Sequence, residues 1–170
     1  SWQQGHVRYC AILRKGLSGL RMEPRETLLI DESFAFIDSK LGCLEFQSGP
    51  KLLHNDFHPK NIIMTDGCFS GVIDWECSQF GEVDFELSHL IHWCLYPPDP
   101  SINLRPFLKS VIRQLPYSKK VPDLETRLTI YQIEHDINQI VWSNGEVDAD
   151  RITRIEGWIA GEVGDLLSSL

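Results

Sequence analysis

The chain has 170 residues, is 42% hydrophobic and 24% charged, and carries a formal net charge of −8. That length and balance suit one folded domain with a real core and exclude general disorder, while the acidic balance makes a poor general nucleic-acid binder, because phosphate contacts need Lys and Arg. No apolar run approaches the ~18 residues of a membrane span, and the five cysteines contain no C-x-x-C pair, so they read as reduced packing thiols of a cytoplasmic protein and not as a disulfide or zinc framework.

The opening SWQQGHVRYC has neither the charged and apolar regions of a signal peptide nor an initiator Met, which reads as a processed, tagged or truncated chain. Residues 3 to 18 form a weak helix candidate. Ile30, Phe34, Ile37 and Leu41 then recur at spacings that place them on one helix face, with Pro24 and Glu26 as its start and Gly42 as its stop. SGP at 48 to 50 breaks the chain. Ile62–Met64 and Val72–Ile73 are short apolar runs separated by a stretch containing Asp66-Gly67, a strong turn signal, and so predict a short β-hairpin.

Helices return beyond residue 84. Asp84 is placed as the cap of a helix carrying Phe85, Leu87, Leu90, Ile91 and Leu95, which YPPDP at 96 to 100 ends. A helix near 103 to 114 follows, then a loop through Pro116 and Pro122. Ile130, Ile133, Ile137 and Ile140 mark a helix from about 123 to 143, stopped by Asn144-Gly145. On it, Glu134, His135 and Asp136 read as a solvated face. Ile152, Ile155, Ile159, Val163, Leu166 and Leu170 mark a last helix, weakened by Gly157, Gly161 and Gly164, which would let helices pack closely. The expected fold class is mainly α with a small β-hairpin, an α+β arrangement over a single domain 1–170.

A hairpin brings its ends together, so Asn61, before the first strand, and Asp74, after the second, can project from the same end. Both offer hard oxygen ligands. Mg²⁺ takes one or two of these from protein and completes its shell with phosphates and water. Asp56 lies five residues before Asn61 in the loop leading to the hairpin, where a carboxylate could orient a hydroxyl and accept its proton without ligating metal.

His54-Asn55-Asp56-Phe57-His58-Pro59-Lys60-Asn61 followed by Ile73-Asp74-Trp75-Glu76 resembles the aminoglycoside phosphotransferase and choline kinase family of small-molecule kinases, and GEVDFEL at 81 to 87 resembles that family's segment after the metal Asp. The resemblance implies the C-terminal lobe of a protein-kinase-like fold, with the catalytic loop and metal hairpin at 52–76 and a helical acceptor region at 84–170. It implies Asp56 as the catalytic base, with His54 bracing the catalytic loop. Asn61 and Asp74 would hold Mg²⁺ on the phosphates of ATP, assisted by Glu76. His58 would be structural, Trp75 core or pocket wall, and Glu134 to Asp136 would contact substrate if they faced the cleft.

The family's other lobe is not found. Lys15 in AILRK superficially resembles the phosphate-binding Lys of kinases, but without a glycine-rich loop or a strand pattern it reads as a surface Lys on a helix. The N-terminal lobe is therefore expected to be absent. The implied function is ATP-dependent transfer of the γ-phosphoryl group to a hydroxyl of a small molecule such as an aminoglycoside, choline or homoserine, with activity in doubt for such a fragment. The acidic balance mildly favours a cationic acceptor. The alternative is a non-catalytic C-lobe that binds a small molecule or a partner, with a homodimer or a separate N-lobe covering its exposed face. A metal-dependent hydrolase is a weaker third reading, because HNDFH lacks a second ligand set at metal-site spacing.

Overall fold

The computed structural model describes residues 1–97, 99–115, 120–145 and 148–168. Pro98 of YPPDP, Pro116 of the expected loop and Leu170 of the expected last helix lie outside the described residues. The chain divides into two compact units, one of residues 1–46 and 122–170, the other of residues 47–121.

The first unit is helical. It contains α1 (Trp2–Leu17), α2 (Pro24–Lys40), a 3₁₀ turn (Leu41–Glu45), α5 (Leu124–Trp142), α6 (Ala149–Ala160) and α7 (Glu162–Ser168). Helix α1 starts in a capping box, Ser1 Oγ accepting from the Gln4 amide, and α2 starts with Pro24 in its first turn. Lys15 is exposed on α1, as expected.

Helix α5 packs against α1, α2, α6 and α7. Its isoleucines at 130, 133, 137 and 140 are all fully buried, each contributing roughly 1.5–3 kcal/mol. Glu134 and Asp136, which flank this stripe, are buried too and His135 is half-buried, which corrects the expected solvated face. Glu134 accepts hydrogen bonds from His6 Nδ1 at 2.7 Å and from Cys10 Sγ at 3.4 Å. Asp136 accepts from Arg154 Nε at 3.1 Å and from Trp158 Nε1 at 2.8 Å. Arg127, also buried, donates from Nη1 to the carbonyls of Cys43 and Phe46. Charges can be buried at such cost only when paired. A hydrophobicity count sees an amphipathic helix here, because it cannot see the partners that neutralise the polar side.

The single last helix expected from 152 onward is two. Gly161 breaks it with φ +105°, a conformation that disfavours any residue with a Cβ, so α6 ends and α7 begins. The close packing expected of these glycines is present at Gly164, where an added Cβ would run into the Glu125 carboxylate of α5.

Among the described residues, the second unit holds two antiparallel strand pairs and two α-helices. Strand β1 (Lys51–Leu53) pairs with β4 (Gln79–Gly81), with Leu52 opposite Phe80. Strand β2 (Ile62–Thr65) pairs with β3 (Cys68–Val72), Ile62 opposite Val72, with a bulge between Ile63 and Met64. Asp66 and Gly67 both have positive φ, 52° and 76°, as a type I′ turn requires. The β1–β4 pair was not expected: three-residue strands 28 positions apart leave no periodic signal in sequence.

Helix α3 (Val83–Leu95) follows β4, and α4 (Arg105–Gln114) buries Leu108 and Ile112. Glu82 occupies the N-cap of α3, so Asp84 is not the cap; it lies buried in the first turn beside Glu86. Acidic groups there meet the positive end of the helix dipole.

The cysteines also divide. Cys10 and Cys94 are buried, and burial pushes their thiols up to about 12 and about 11, Glu134 adding to the effect at Cys10. Cys68 and Cys77 are exposed, contrary to the expected packing role. Among the described residues no helix is long and apolar enough to cross a membrane.

Replacing Asp136 by Ala should remove a buried carboxylate that accepts from both the Arg154 guanidinium and the Trp158 N–H. Chemical denaturation should then show a loss of about 3–5 kcal/mol, against a loss within about 0.5 kcal/mol for a surface change such as Lys15→Ala.

Candidate functional site

The second unit ties the expected loop residues to the Asp74 turn through the backbone of one residue, Ile73. The Ile73 N–H donates to the Asn61 carbonyl at 3.0 Å, closing the open end of the β2–β3 hairpin. The Ile73 carbonyl in turn accepts from His54 Nε2 at 2.7 Å. The loop 54–61 and the start of the Asp74 turn are therefore pinned to each other through a single residue.

The loop is built on its own side chains. His54 is buried, and because Nε2 donates to Ile73, Nδ1 is the acceptor for the Asp56 amide at 3.3 Å. Trp75 packs on the His54 ring with centroids 4.8 Å apart. That indole is 45% exposed, so it covers the histidine from the solvent side and is not core. Asn61 sits at the end of a 3₁₀ turn (Pro59–Asn61) that Pro59 starts. Its amide nitrogen donates to the Asp56 carbonyl at 3.0 Å and approaches Asp56 Oδ2 at 3.4 Å.

Two loop positions carry backbone strain. Asn55 has φ 64° and Asp74 φ 65°. Left-handed backbone is uncommon for residues other than Gly, and Asn and Asp tolerate it best. At Asp74 it turns the chain sharply out of β3 into a short 3₁₀ turn (Trp75–Cys77). Asp74 and Glu76 are both exposed. The structure thus joins His54, Asp56 and Asn61 by hydrogen bonds and attaches Asp74 through Ile73, while Glu76 is placed only by its nearness in sequence to Asp74.

One supporting residue was missed. Glu86, in the first turn of α3, accepts the backbone N–H groups of His54 at 2.6 Å and Asn55 at 3.1 Å with one oxygen, Oε2. A neighbouring tie links the approach to β1: Glu82 Oε2 accepts from the Ser48 amide and hydroxyl at 2.7 and 2.6 Å. Two buried or part-buried carboxylates at a helix start were the available signal, legible in GEVDFEL only as capping chemistry.

The donor set fits a hard divalent ion. The Asn61 NH₂ group is the end turned to Asp56, so its carbonyl oxygen is directed elsewhere, and the Asp74 carboxylate is exposed. Among the described residues no three His, Cys, Asp or Glu side chains converge as a metal-binding group. Asn61 and Asp74 each offer a hard oxygen of the kind that could serve a Mg²⁺ ion whose shell phosphates and water complete.

The comparisons bear out the family resemblance. Residues 28–105 match the family APH, described as phosphotransferase enzyme family. Hygromycin-B 4-O-kinase of Escherichia coli is 26% identical over 113 residues, with 58% of this chain and 30% of that protein covered. The fold is shared with the crystal structure of aminoglycoside phosphotransferase APH(4)-Ia, at TM-score 0.63 and 19% identity over 96% of this chain and 52% of that one. A thermostable mutant of the same enzyme, in ternary complex with AMP-PNP and hygromycin B, matches at TM-score 0.54 and 20% identity, over 84% of this chain and 45% of that one. The chain thus spans about half the length of these solved structures and less of the curated relative. The mainly helical fold with small antiparallel strand pairs is that of part of a kinase-like phosphotransferase.

Glu86→Ala should remove the acceptor of two loop amides. Hydrogen exchange should then speed at His54 and Asn55 by about 5- to 150-fold, given about 1–3 kcal/mol for an unsatisfied buried donor, while the α5 amides stay protected.

Proposed function

We propose, from the phosphotransferase-family segment at residues 28–105, that the chain supplies the catalytic loop and metal-binding hairpin of an ATP-dependent kinase acting on a hydroxyl of a small molecule. The observation that carries this reading is the pairing of Asp56 with Asn61, pinned through Ile73 to Asp74. Phosphoryl transfer asks little covalent chemistry of a protein and depends on positioning and charge neutralisation.

In this reading Asp56 receives the acceptor hydroxyl. Its side chain is 39% exposed, so it reaches solvent while its Oδ2 edge faces Asn61. Asn61 and Asp74 hold Mg²⁺, which when bound neutralises the phosphates of ATP. Glu76, exposed on the turn beyond, assists in ordering the metal's water. His54 holds the loop and does not reach the reacting atoms.

The acceptor is read as an amine-bearing alcohol of the aminoglycoside kind, ahead of choline or homoserine. The names of the relatives and the net charge of −8 support a polycationic acceptor. The cytoplasm, where ATP and Mg²⁺ are plentiful, is the proposed location.

A second reading, a non-catalytic binding module, is favoured by one observation. Leu52, Met64, Phe69 and Phe80 are all more than half exposed in the second unit, a set that a further lobe or a partner chain would cover. The two readings separate on turnover.

The test uses the protein expressed from its complete reading frame, with hygromycin B, choline and homoserine as acceptors. Calorimetry should show ATP binding that needs Mg²⁺ and weakens at least about tenfold in Asp74→Ala, as for loss of one charge-assisted contact. Asp56→Asn should leave that binding intact and lower kcat on the aminoglycoside by about 10²–10⁴. Mg²⁺-independent ATP binding, or none, would contradict the kinase reading; binding without transfer to any acceptor would favour the module.

A further inference from the structure

His58 lies inside the loop and has no part in the chemistry proposed above, yet its ring is held on every side. It is 7% exposed. Nδ1 accepts the Lys60 amide at 3.2 Å, capping the 3₁₀ turn that ends in Asn61. This acceptance puts the proton of the neutral ring on Nε2. The Trp93 indole of α3 lies against the ring, with centroids 4.2 Å apart and planes inclined by 44°. The remaining ring corner, Nε2, stands 3.5 Å from Asp56 Oδ2; Asn61 Nδ2 lies 3.3 Å from it, but both groups carry protons, so they do not bond to each other and both face that carboxylate oxygen.

A cap and a packing partner would need Nδ1 and the ring face, but not an Nε2 aimed at the carboxylate. The 3.5 Å separation is long for a hydrogen bond, and contacts of this type tighten when the reacting complex forms. We propose that His58 is a positioning residue: its Nε2–H holds the inner oxygen of Asp56, fixing the carboxylate in the rotamer that receives the acceptor hydroxyl, beside the amide of Asn61. The inference rests on the phosphotransferase reading.

Two substitutions separate the corners of the ring. Asn keeps an acceptor near the place of Nδ1 and so keeps the cap. Gln keeps a donor near the place of Nε2 and so keeps the link to Asp56. Kinetics with Mg²⁺-ATP and the aminoglycoside used above, on the protein from its complete reading frame, should show kcat of His58→Asn lowered about 10- to 100-fold, with both KM values within about twofold, as expected for a displaced reacting group. His58→Gln should remain within about threefold of the unaltered protein. Thermal denaturation of both variants confirms that the compared proteins are folded. Equal losses in the two variants, or a loss confined to His58→Gln, would overturn the inference and leave His58 as a cap. An unaltered protein that transfers no phosphoryl group to any acceptor would overturn the phosphotransferase reading, and this inference with it.

Discussion

The backbone of Ile73 is bonded to the loop 54–61 on both sides of its Cα, its N–H to the Asn61 carbonyl and its C=O to His54 Nε2. The bond from His54 is part-buried, where leaving a group unpaired would cost about 1–3 kcal/mol. The Asp74 backbone follows immediately, in a left-handed turn. Two segments more than a dozen residues apart in sequence are thereby held in one register, and everything attributed to the site depends on that register. A shift of one residue in the hairpin would turn Asn61 and Asp74 away from a common end.

The loop is held at its other end by carboxylates. Glu86 satisfies the amides of His54 and Asn55 where the backbone adopts its strained turn, and Glu82 ties Ser48 just upstream. Both come from the start of α3, so the helix that follows the site also anchors its entrance. In the first unit, buried charge has another use. Glu134, Asp136 and Arg127 on α5 are matched by His6, Arg154 and backbone carbonyls of the 3₁₀ segment. These are internal ties of a helical bundle.

Much of this was legible in sequence, for identifiable reasons. Asp66-Gly67 dictated a turn because few other pairs accept positive φ twice, and the hairpin placed Asn61 and Asp74 at one end. Pro24, Glu26 and the isoleucine spacing of α5 marked helices by local rules. What escaped depended on partners distant in the chain. The polar face of α5 read as solvated because its ion pairs come from α1 and α6. Gly161 was read as a weakness in one helix because sequence does not reveal which glycine takes φ +105°. Glu86 went unread, and His58 read as structural, because only the fold shows that the former meets two loop amides and the latter lies beside Asp56.

The central claim is that the end of the hairpin closed by Asn61 and Ile73 is where a metal-nucleotide complex binds. Paramagnetic broadening of backbone amides by Mn²⁺ with AMP-PNP tests this without requiring turnover. The claim predicts broadening concentrated at residues 54–61 and 73–76, relieved by excess Mg²⁺, with the amides of α5 unaffected. Broadening centred elsewhere, or none at saturating nucleotide, would contradict it.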